Sequence, residues 1–600
     1  MADAFHSSDS VRSAAPLRHV QSVTFDQPLR LALGGELPSV TVAYETYGTL
    51  NAAADNAVLV CHAISGDSHV ARHDADDAPG WWEVMVGPGR PIDTGRWFVI
   101  CANVLGGCRG STGPNSLDPR SGQPYGADFP TITVADMVAA QVRLVDHLGI
   151  GALHAVVGGS LGGHQAMTWA VAQPTRVRGC VALASSPRLS SQAIAFDVVG
   201  RNAILQDPGY RGGQYYDRGA GPATGLALAR MLAHVTYLSR EAMRAKFDPG
   251  RLQPREVATA FEQKFSVGSY LAYQGHKFVE RFDANSYVTL SMAMDLFDLG
   301  DGVEALRATL ARSSCRWLVA SFTSDWLFPA EQSREIVAAL LAADRPVSYC
   351  NVRASGGHDA FLLEENLATT GGLVGGFLEQ LDAAAAPAAD GGLEDSDPTS
   401  IFHGRLDYAR ILELIPAGAS VLDVGCGGGA LLARLRARGH RPLLGVELDE
   451  DELLAAVRRG LDVVQYDLEA GLAPFRDGQF DVVVLSQTLQ SVVHTERIID
   501  ETLRVGRQVI LSFPNFAYHK LRRMLAQEGR SPKSEGPYSF EWYDTPNRRF
   551  PSIADVEDFC RAKGIHMARQ MYLDSEAGRW VTDDPNRNAD VAVVVLSRAG

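Results

Sequence analysis

Short apolar, β-branched runs recur along the first part of the chain, and longer stretches with helical spacing of their apolar positions separate them. Asn56–Cys61 (NAVLVC), Trp97–Ala102 (WFVICA), Ala152–Val157 (ALHAVV), Gly179–Ala184 (GCVALA) and Arg316–Phe322 (RWLVASF) have the length and composition of buried strands. Strands alternating with helices predict an α/β fold, a mostly parallel sheet covered by helices. The pattern changes between about 190 and 310, where GLALARMLAHVTYLSREAMRAKF and SYVTLSMAMDLFDL read as helices with no strand between them. That predicts a helical lid inserted ahead of the last sheet strands.

One stretch breaks the periodicity altogether. Leu381–Ser400 (LDAAAAPAADGGLEDSDPTS) is rich in Ala, Pro, Gly and Asp and reads as a flexible linker over 382–400. It separates a first domain, 18–381, from a second, 401–600, and no internal repeat relates the two. The first 17 residues carry no apolar core of a signal peptide and read as a disordered leader, so the expected location is the cytoplasm.

Composition narrows the function class. A net charge of −15 disfavours nucleic acid and anionic membrane as partners, and no apolar run approaches the roughly 18 residues of a membrane span. The eight cysteines are scattered without C-x-x-C pairs or a histidine ligand pattern, so neither a disulfide framework nor a metal site is expected. Small-molecule chemistry remains.

The chemistry is concentrated in VVGGSLGGHQAM, which places Ser160 among glycines where a strand-like run becomes helix-like. A Gly-x-Ser-x-Gly turn exposes a serine hydroxyl above a sheet and requires tiny neighbours. Serine needs a histidine to take its proton and a carboxylate to orient that histidine. In the chain order that such folds use, ASFTSDWLFP supplies Asp325 just past a strand and VRASGGHDAF supplies His358 on a glycine-rich loop. The oxyanion hole is expected from the backbone N–H of Leu161 and of Ile64, in the loop LVCHAISGDSH. His164 reads as a helix residue rather than the base, and His62 and Cys61 as residues that shape the oxyanion loop.

CHAISGDSHV, NVLGGCRGSTGP, GGSLGGHQAMTWA, YQGHKFVERFDANSY and GGHDAFL together closely resemble the homoserine O-acyltransferases of methionine biosynthesis. The resemblance implies an α/β-hydrolase fold with a helical lid, an acyl-CoA donor, L-homoserine as acceptor, and a homodimer. It makes Ser160 the nucleophile, Asp325 and His358 its partners, and Arg230 and Asp359 the ligands of the amino acid. Members that use succinyl-CoA carry an arginine where this chain has Leu327, so acetyl-CoA is the expected donor. Succinyl transfer and a plain serine esterase are the competing readings.

The second domain opens with SVLDVGCGGGALLARL, a strand running through a glycine-rich turn into a helix. Asp423 with Gly425, Gly427 and Gly429 has the D-x-G-x-G-x-G form. Glu447 ends the next strand, where it can accept ribose hydroxyls, and Asp467 is placed near an adenine. S-adenosylmethionine is the better expected ligand, with a dinucleotide as the alternative. With SFPNFAYHKLRRML and YDTPNRRFPSIADVEDFC the domain resembles the MetW family, class I methyltransferase-like with a Rossmann-like fold. An active methyltransferase, a ligand sensor and a module supporting the acyltransferase all remain open.

Overall fold

A computed structural model describes residues 17–217, 221–248, 265–381, 406–531, 541–543 and 545–598. The expected leader, but for Leu17, and the expected linker lie outside the described residues. The chain divides into two compact units, the first ending at Leu381 but lacking Ser348–Cys350, which group with the second.

The first unit is built on eight strands: β1 (Gln21–Phe25), β2 (Val40–Tyr47), β3 (Ala57–Cys61), β4 (Phe98–Ala102), β5 (Leu153–Gly159), β6 (Val177–Leu183), β7 (Arg316–Phe322) and β8 (Val347–Val352). Their spatial order is β1-β2-β4-β3-β5-β6-β7-β8. β2 is antiparallel to both β1 and β4, whereas β4, β3, β5, β6 and β7 run parallel. Every residue of β3 and β5 is buried, as a strand covered on both faces requires. The chain order reverses about β3, so the carboxyl ends of β3 and β5 meet at a topological switch point, where open α/β sheets bind ligands.

α1 (Val134–His147) and α2 (Leu161–Ala172) pack together, α2 lying against β5 and β6. Between β6 and β7 the described residues form helices only: α3 (Ser191–Leu205), α4 (Ala223–Tyr237), α5 (Arg240–Phe247), α6 (Ser266–Val279), α7 (Ala284–Asp295) and α8 (Gly302–Leu310). The run Gly225–Phe247, uniform in its apolar spacing, is two helices. It breaks at Leu238 (ψ 142°), where the Ser239 hydroxyl accepts the Ala242 N–H and donates to Ser355 O. That cap starts α5 afresh. α4 packs against α3, α6 and the turn Gly357–Leu362.

The second unit has β9 (Val421–Val424), β10 (Leu443–Glu447), β11 (Val463–Gln465), β12 (Phe480–Ser486), β13 (Gly506–Pro514), β14 (Ile565–Asp574), β15 (Arg579–Trp580) and β16 (Val591–Arg598). The order is β11-β10-β9-β12-β13-β16-β14-β15, parallel through β13 and antiparallel beyond it. Here the switch point lies between β9 and β12. No helix among the described residues is long and apolar enough to cross a membrane.

Candidate active site

Ser160 occupies the single residue between β5 and α2, with φ 57° and ψ −125°. Such a conformation costs of order 1–3 kcal/mol for a non-glycine residue and must be held by its surroundings. Its N–H donates to Leu183 O on β6 at 3.0 Å. The neighbouring glycines allow α2 to approach β3: a Cβ on Gly162 would lie 2.1 Å from Cys61 O. The serine is therefore fixed at the switch point by backbone contacts that larger neighbours would forbid. Among the described residues, the N–H groups of Leu161 and Ile64 donate to no protein acceptor. Ile64 lies in the turn after β3, closed by Gly66 N–H to Ala63 O at 2.9 Å.

Asp325 follows β7, and its Oδ2 accepts His358 Nδ1–H at 2.8 Å. Its Oδ1 accepts the Leu327 and Phe328 N–H groups at 3.0 and 2.9 Å. Both side chains are buried. Burial alone would lower the His358 pKa, but the Asp325 carboxylate raises it above the ordinary histidine value. With Nδ1–H committed to Asp325, Nε2 carries the lone pair. Gly357, at φ +74°, is needed because a Cβ there would meet Tyr237 O at 2.4 Å, so the His358 turn presses on the end of α4. No hydrogen bond joins Ser160 Oγ to His358 among the described residues; such contacts often tighten only when a substrate binds.

His164 is stacked on Phe297 at 4.1 Å, and burial pushes its pKa down to about 3, so it stays neutral inside α2. His62 donates from Nδ1 to Ala63 O and accepts the Val104 N–H at Nε2, bracing the Ile64 turn.

A pocket reaches Ser160 between the lid and the sheet, lined among others by Ile64, Asp197, Tyr237, Tyr287, Leu327 and Phe328. Among the described residues, no arginine or lysine lines it. Arg230 on α4 lies over the Tyr237 and Phe278 rings, 5.5 and 4.8 Å from their centroids, and its buried Nε has no hydrogen-bond partner. Asp359, beside His358, has a raised pKa: burial pushes it up against the pull of His358 and Arg230.

Two residues of this region carry no role in the sequence reading. Asp197 on α3 is pushed up to about 8 by burial and by Asp295, whose Oδ2 accepts from the Arg201 guanidinium at 2.5 Å. Arg281, between α6 and α7, donates to Ser65 O in the Ile64 turn at 2.9 Å. An acid in the apolar run QAIAFDVV and an arginine in HKFVERF were the available signals.

In the second unit, Gly425, Gly427 and Gly429 all have positive φ, at 76°, 52° and 79°. Asp423 is buried on β9. The Glu447 carboxylate is drawn to the glycine turn, accepting the Gly427 N–H at 2.7 Å and the Leu448 and Asp449 N–H groups at 2.7 and 3.0 Å. Asp467 caps its own short turn by accepting the Glu469 N–H. The sequence reading missed Gln487 and Gln490, just past β12. Gln487 has φ 55°, and Thr488 packs over Gly425. Gln487 Nε2 donates to Ser512 Oγ and Gln490 Nε2 to Gln487 O, which fixes both amides, yet both Oε1 atoms are buried without a partner. Buried acceptors left open in this way call for a donor.

Comparison with known proteins finds one family model in each unit. The family model described as alpha/beta hydrolase fold matches residues 56–365, and that of methionine biosynthesis protein MetW matches 405–596. The chain is similar to a bifunctional methionine biosynthesis protein MetXA/MetW of Rhodopirellula baltica, 54% identical over 604 residues that cover 99% of this chain and 95% of that protein. A homoserine O-succinyltransferase of Halorhodospira halophila and a homoserine O-acetyltransferase of Solidesulfovibrio magneticus are each 53% identical, covering 57% and 60% of this chain and 90% and 92% of theirs. Among solved structures, a homoserine O-acetyltransferase from Bacillus anthracis is 28% identical with a TM-score of 0.54, over 60% of this chain and 97% of its own. Esterase E22 is 29% identical with a TM-score of 0.55, over 60% and 100%.

Proposed function

The chain belongs to the MetXA/MetW family, a homoserine O-acyltransferase of α/β-hydrolase fold fused to a MetW domain, and on that premise we propose that its first unit carries acetyl from acetyl-CoA to L-homoserine through an acyl-Ser160 intermediate. His358 Nε2 takes the Ser160 proton as Oγ attacks the thioester carbon, and the Leu161 and Ile64 N–H groups receive the oxyanion. The carbon–sulfur bond breaks, and the proton on His358 passes to the departing CoA thiolate. Homoserine's hydroxyl then gives its proton to His358 and attacks the acyl ester; Ser160 leaves and takes the proton back. Arg230, with its open Nε, suits the substrate carboxylate, and Asp359 its ammonium. The lid keeps water from the acyl-serine, which separates transfer from hydrolysis.

The observation that carries the acetyl reading is the Ser160 pocket. Among the described residues its lining includes Leu327 and the carboxyl of Asp197 but no arginine or lysine, Arg230 being assigned to homoserine, and burying an unpaired succinyl carboxylate costs several kcal/mol. Relatives of equal identity are named for both donors, so likeness alone does not choose. The test is the ratio of kcat/KM for acetyl-CoA and succinyl-CoA with homoserine. A ratio above about tenfold for acetyl is expected, equivalent to 1.4 kcal/mol; a ratio favouring succinyl overturns the donor and leaves the triad. Family resemblance also supports a homodimer, checked by analytical ultracentrifugation.

For the second unit we infer S-adenosylmethionine binding at the glycine turn. Bound there, the ligand supplies a sulfonium methyl group. Gly425, Gly427 and Gly429 let the backbone approach it, Glu447 can accept its ribose hydroxyls, and the open amide oxygens of Gln487 and Gln490 suit N–H donors. Fusion to a methionine-pathway enzyme favours a sensing or supporting role over turnover. Calorimetry on the full chain tests this: binding that Glu447→Ala weakens is expected, and no binding by the unaltered chain refutes it.

A further inference from the structure

Outside the lining of the Ser160 pocket, the first unit gathers a second cluster of titratable side chains. Glu45 on β2 is fully buried, and its Oε2 lies 3.0 Å from His69 Nδ1, 2.9 Å from His73 Nε2 and 2.9 Å from the Tyr47 hydroxyl. The one glutamate and two histidine ligand atoms all fall within 4.8 Å of one another. His69 Nε2–H donates to Ala78 O at 2.8 Å. With Nδ1–H on the Glu45 carboxylate both ring nitrogens donate, and loss of the Nδ1 proton leaves the tautomer whose lone pair faces the cluster, the Ala78 contact being an outer one typical of metal-binding histidines. His73 is held by stacking on Tyr47, ring centroids 4.3 Å apart. On its other side His19 comes within 4.3 Å, and His19 Nε2 is buried without a hydrogen bond, its nearest acidic oxygens, on Asp74 and Asp77, being 3.6 and 3.9 Å away.

We propose that Glu45, His69 and His73 form a binding site for one divalent transition-metal cation of the zinc class. Two imidazole nitrogens and one carboxylate oxygen are the ligand types such a cation takes, at about 2.0–2.2 Å from each. Ligand atoms 2.9–3.0 Å apart subtend about 90° at a metal held at those lengths, so small side-chain shifts admit the ion. Binding displaces to solvent the protons that otherwise join the two rings to Glu45. The fourth position falls to water or to His19. None of these residues lines the Ser160 pocket, so the ion is structural. It ties β2 to the loop that continues from the Ile64 turn, a loop further held by Trp81 Nε1–H donating to Asp67 O.

The experiment is metal content by plasma mass spectrometry on the full chain, loaded with zinc sulfate and freed of excess by gel filtration. About one zinc per chain is expected in the unaltered protein and in Ser160→Ala, and less than about a tenth in His73→Phe and Glu45→Gln. His73→Phe keeps a ring to stack on Tyr47, and Glu45→Gln keeps the shape, so either suffices if the other fails to fold. Addition of zinc, but not magnesium, should raise the melting temperature of the unaltered chain. Zinc below about a tenth per chain in the unaltered protein, or full zinc in both cluster variants, overturns the site and identifies the cluster as a proton-held network. Ser160→Ala separates this outcome from any failure of the acyl-transfer reading, because zinc content does not depend on the nucleophile.

Discussion

Replacing Asp325 by asparagine should disable the histidine without disturbing the fold, and the hydrogen bonds at this carboxylate say why. Its Oδ1 accepts two backbone N–H groups, from Leu327 and Phe328, while Oδ2 faces His358 Nδ1. An asparagine must keep its oxygen toward the two N–H donors, which turns its NH2 toward the ring. His358 Nδ1 then has to accept, the ring proton moves to Nε2, and Nε2 can no longer take a proton from Ser160. The same exchange in a serine-protease triad lowers kcat about 10⁴-fold, roughly 5 kcal/mol of barrier, and a loss of that order is expected here. Steady-state transfer to homoserine measures it, with circular dichroism and the melting temperature as controls for the fold. The pH profile adds a second reading. The Asp325 charge raises the His358 pKa, so kcat/KM of the unaltered enzyme should fall with decreasing pH through a value above that of ordinary histidine, and in Asp325→Asn this acid limb should move down. Retention of more than about a tenth of the activity in a folded Asp325→Asn would falsify the orienting role.

Leu327→Arg places a cation in the Ser160 pocket and should raise succinyl-CoA use relative to acetyl-CoA, by up to about tenfold for each 1.4 kcal/mol of pairing gained; donor competition assays show it, and no change refutes Leu327 as the selector. Arg281→Ala removes the lid's grip on Ser65 O, so kcat should drop about 10- to 100-fold with little change in KM, less than the loss of an oxyanion donor itself. An effect confined to KM would instead make Arg281 a binding residue. Asp197 is held protonated in the fold up to about 8, so between the ordinary aspartate range and pH 8 the folded state binds more protons than the unfolded one, and stability falls as pH rises. Asp197→Asn should flatten that decline, raising the melting temperature more at pH 8.5 than at pH 5; an equal shift at both rules the coupling out.

The parts of this molecule legible in its sequence are those whose meaning is local. Buried strands such as Ala57–Cys61 and Leu153–Gly159 are continuous apolar runs, and the glycines around Ser160 signal a close approach wherever the chain goes next. Asp325 and His358 follow from chain order once the serine turn is granted. The edge strand Gln21–Phe25, half exposed, leaves a weaker pattern. The break at Leu238 is invisible because the serine that caps α5 sits inside an uninterrupted helical spacing and is held by Ser355, which is remote in sequence. Asp197 and Arg281 gain their significance only when the lid folds over the sheet. His69 and His73 are four apart, a spacing ligand histidines use, but Glu45 lies 24 and 28 residues before them, and only the fold sets its carboxylate against the two rings. In the second unit Glu447 is marked by its position at a strand end, whereas the open oxygens of Gln487 and Gln490 depend on which end of each amide the fold engages.

The central claim is that one serine holds the acyl group between donor and acceptor. Intact and peptide mass spectrometry after mixing the full chain with acetyl-CoA alone measures this directly. An acetyl adduct confined to the peptide bearing Ser160, formed with release of CoA and discharged as O-acetylhomoserine when homoserine is added, is the predicted result. An adduct on another residue, or homoserine acetylation that continues in Ser160→Ala, would contradict it.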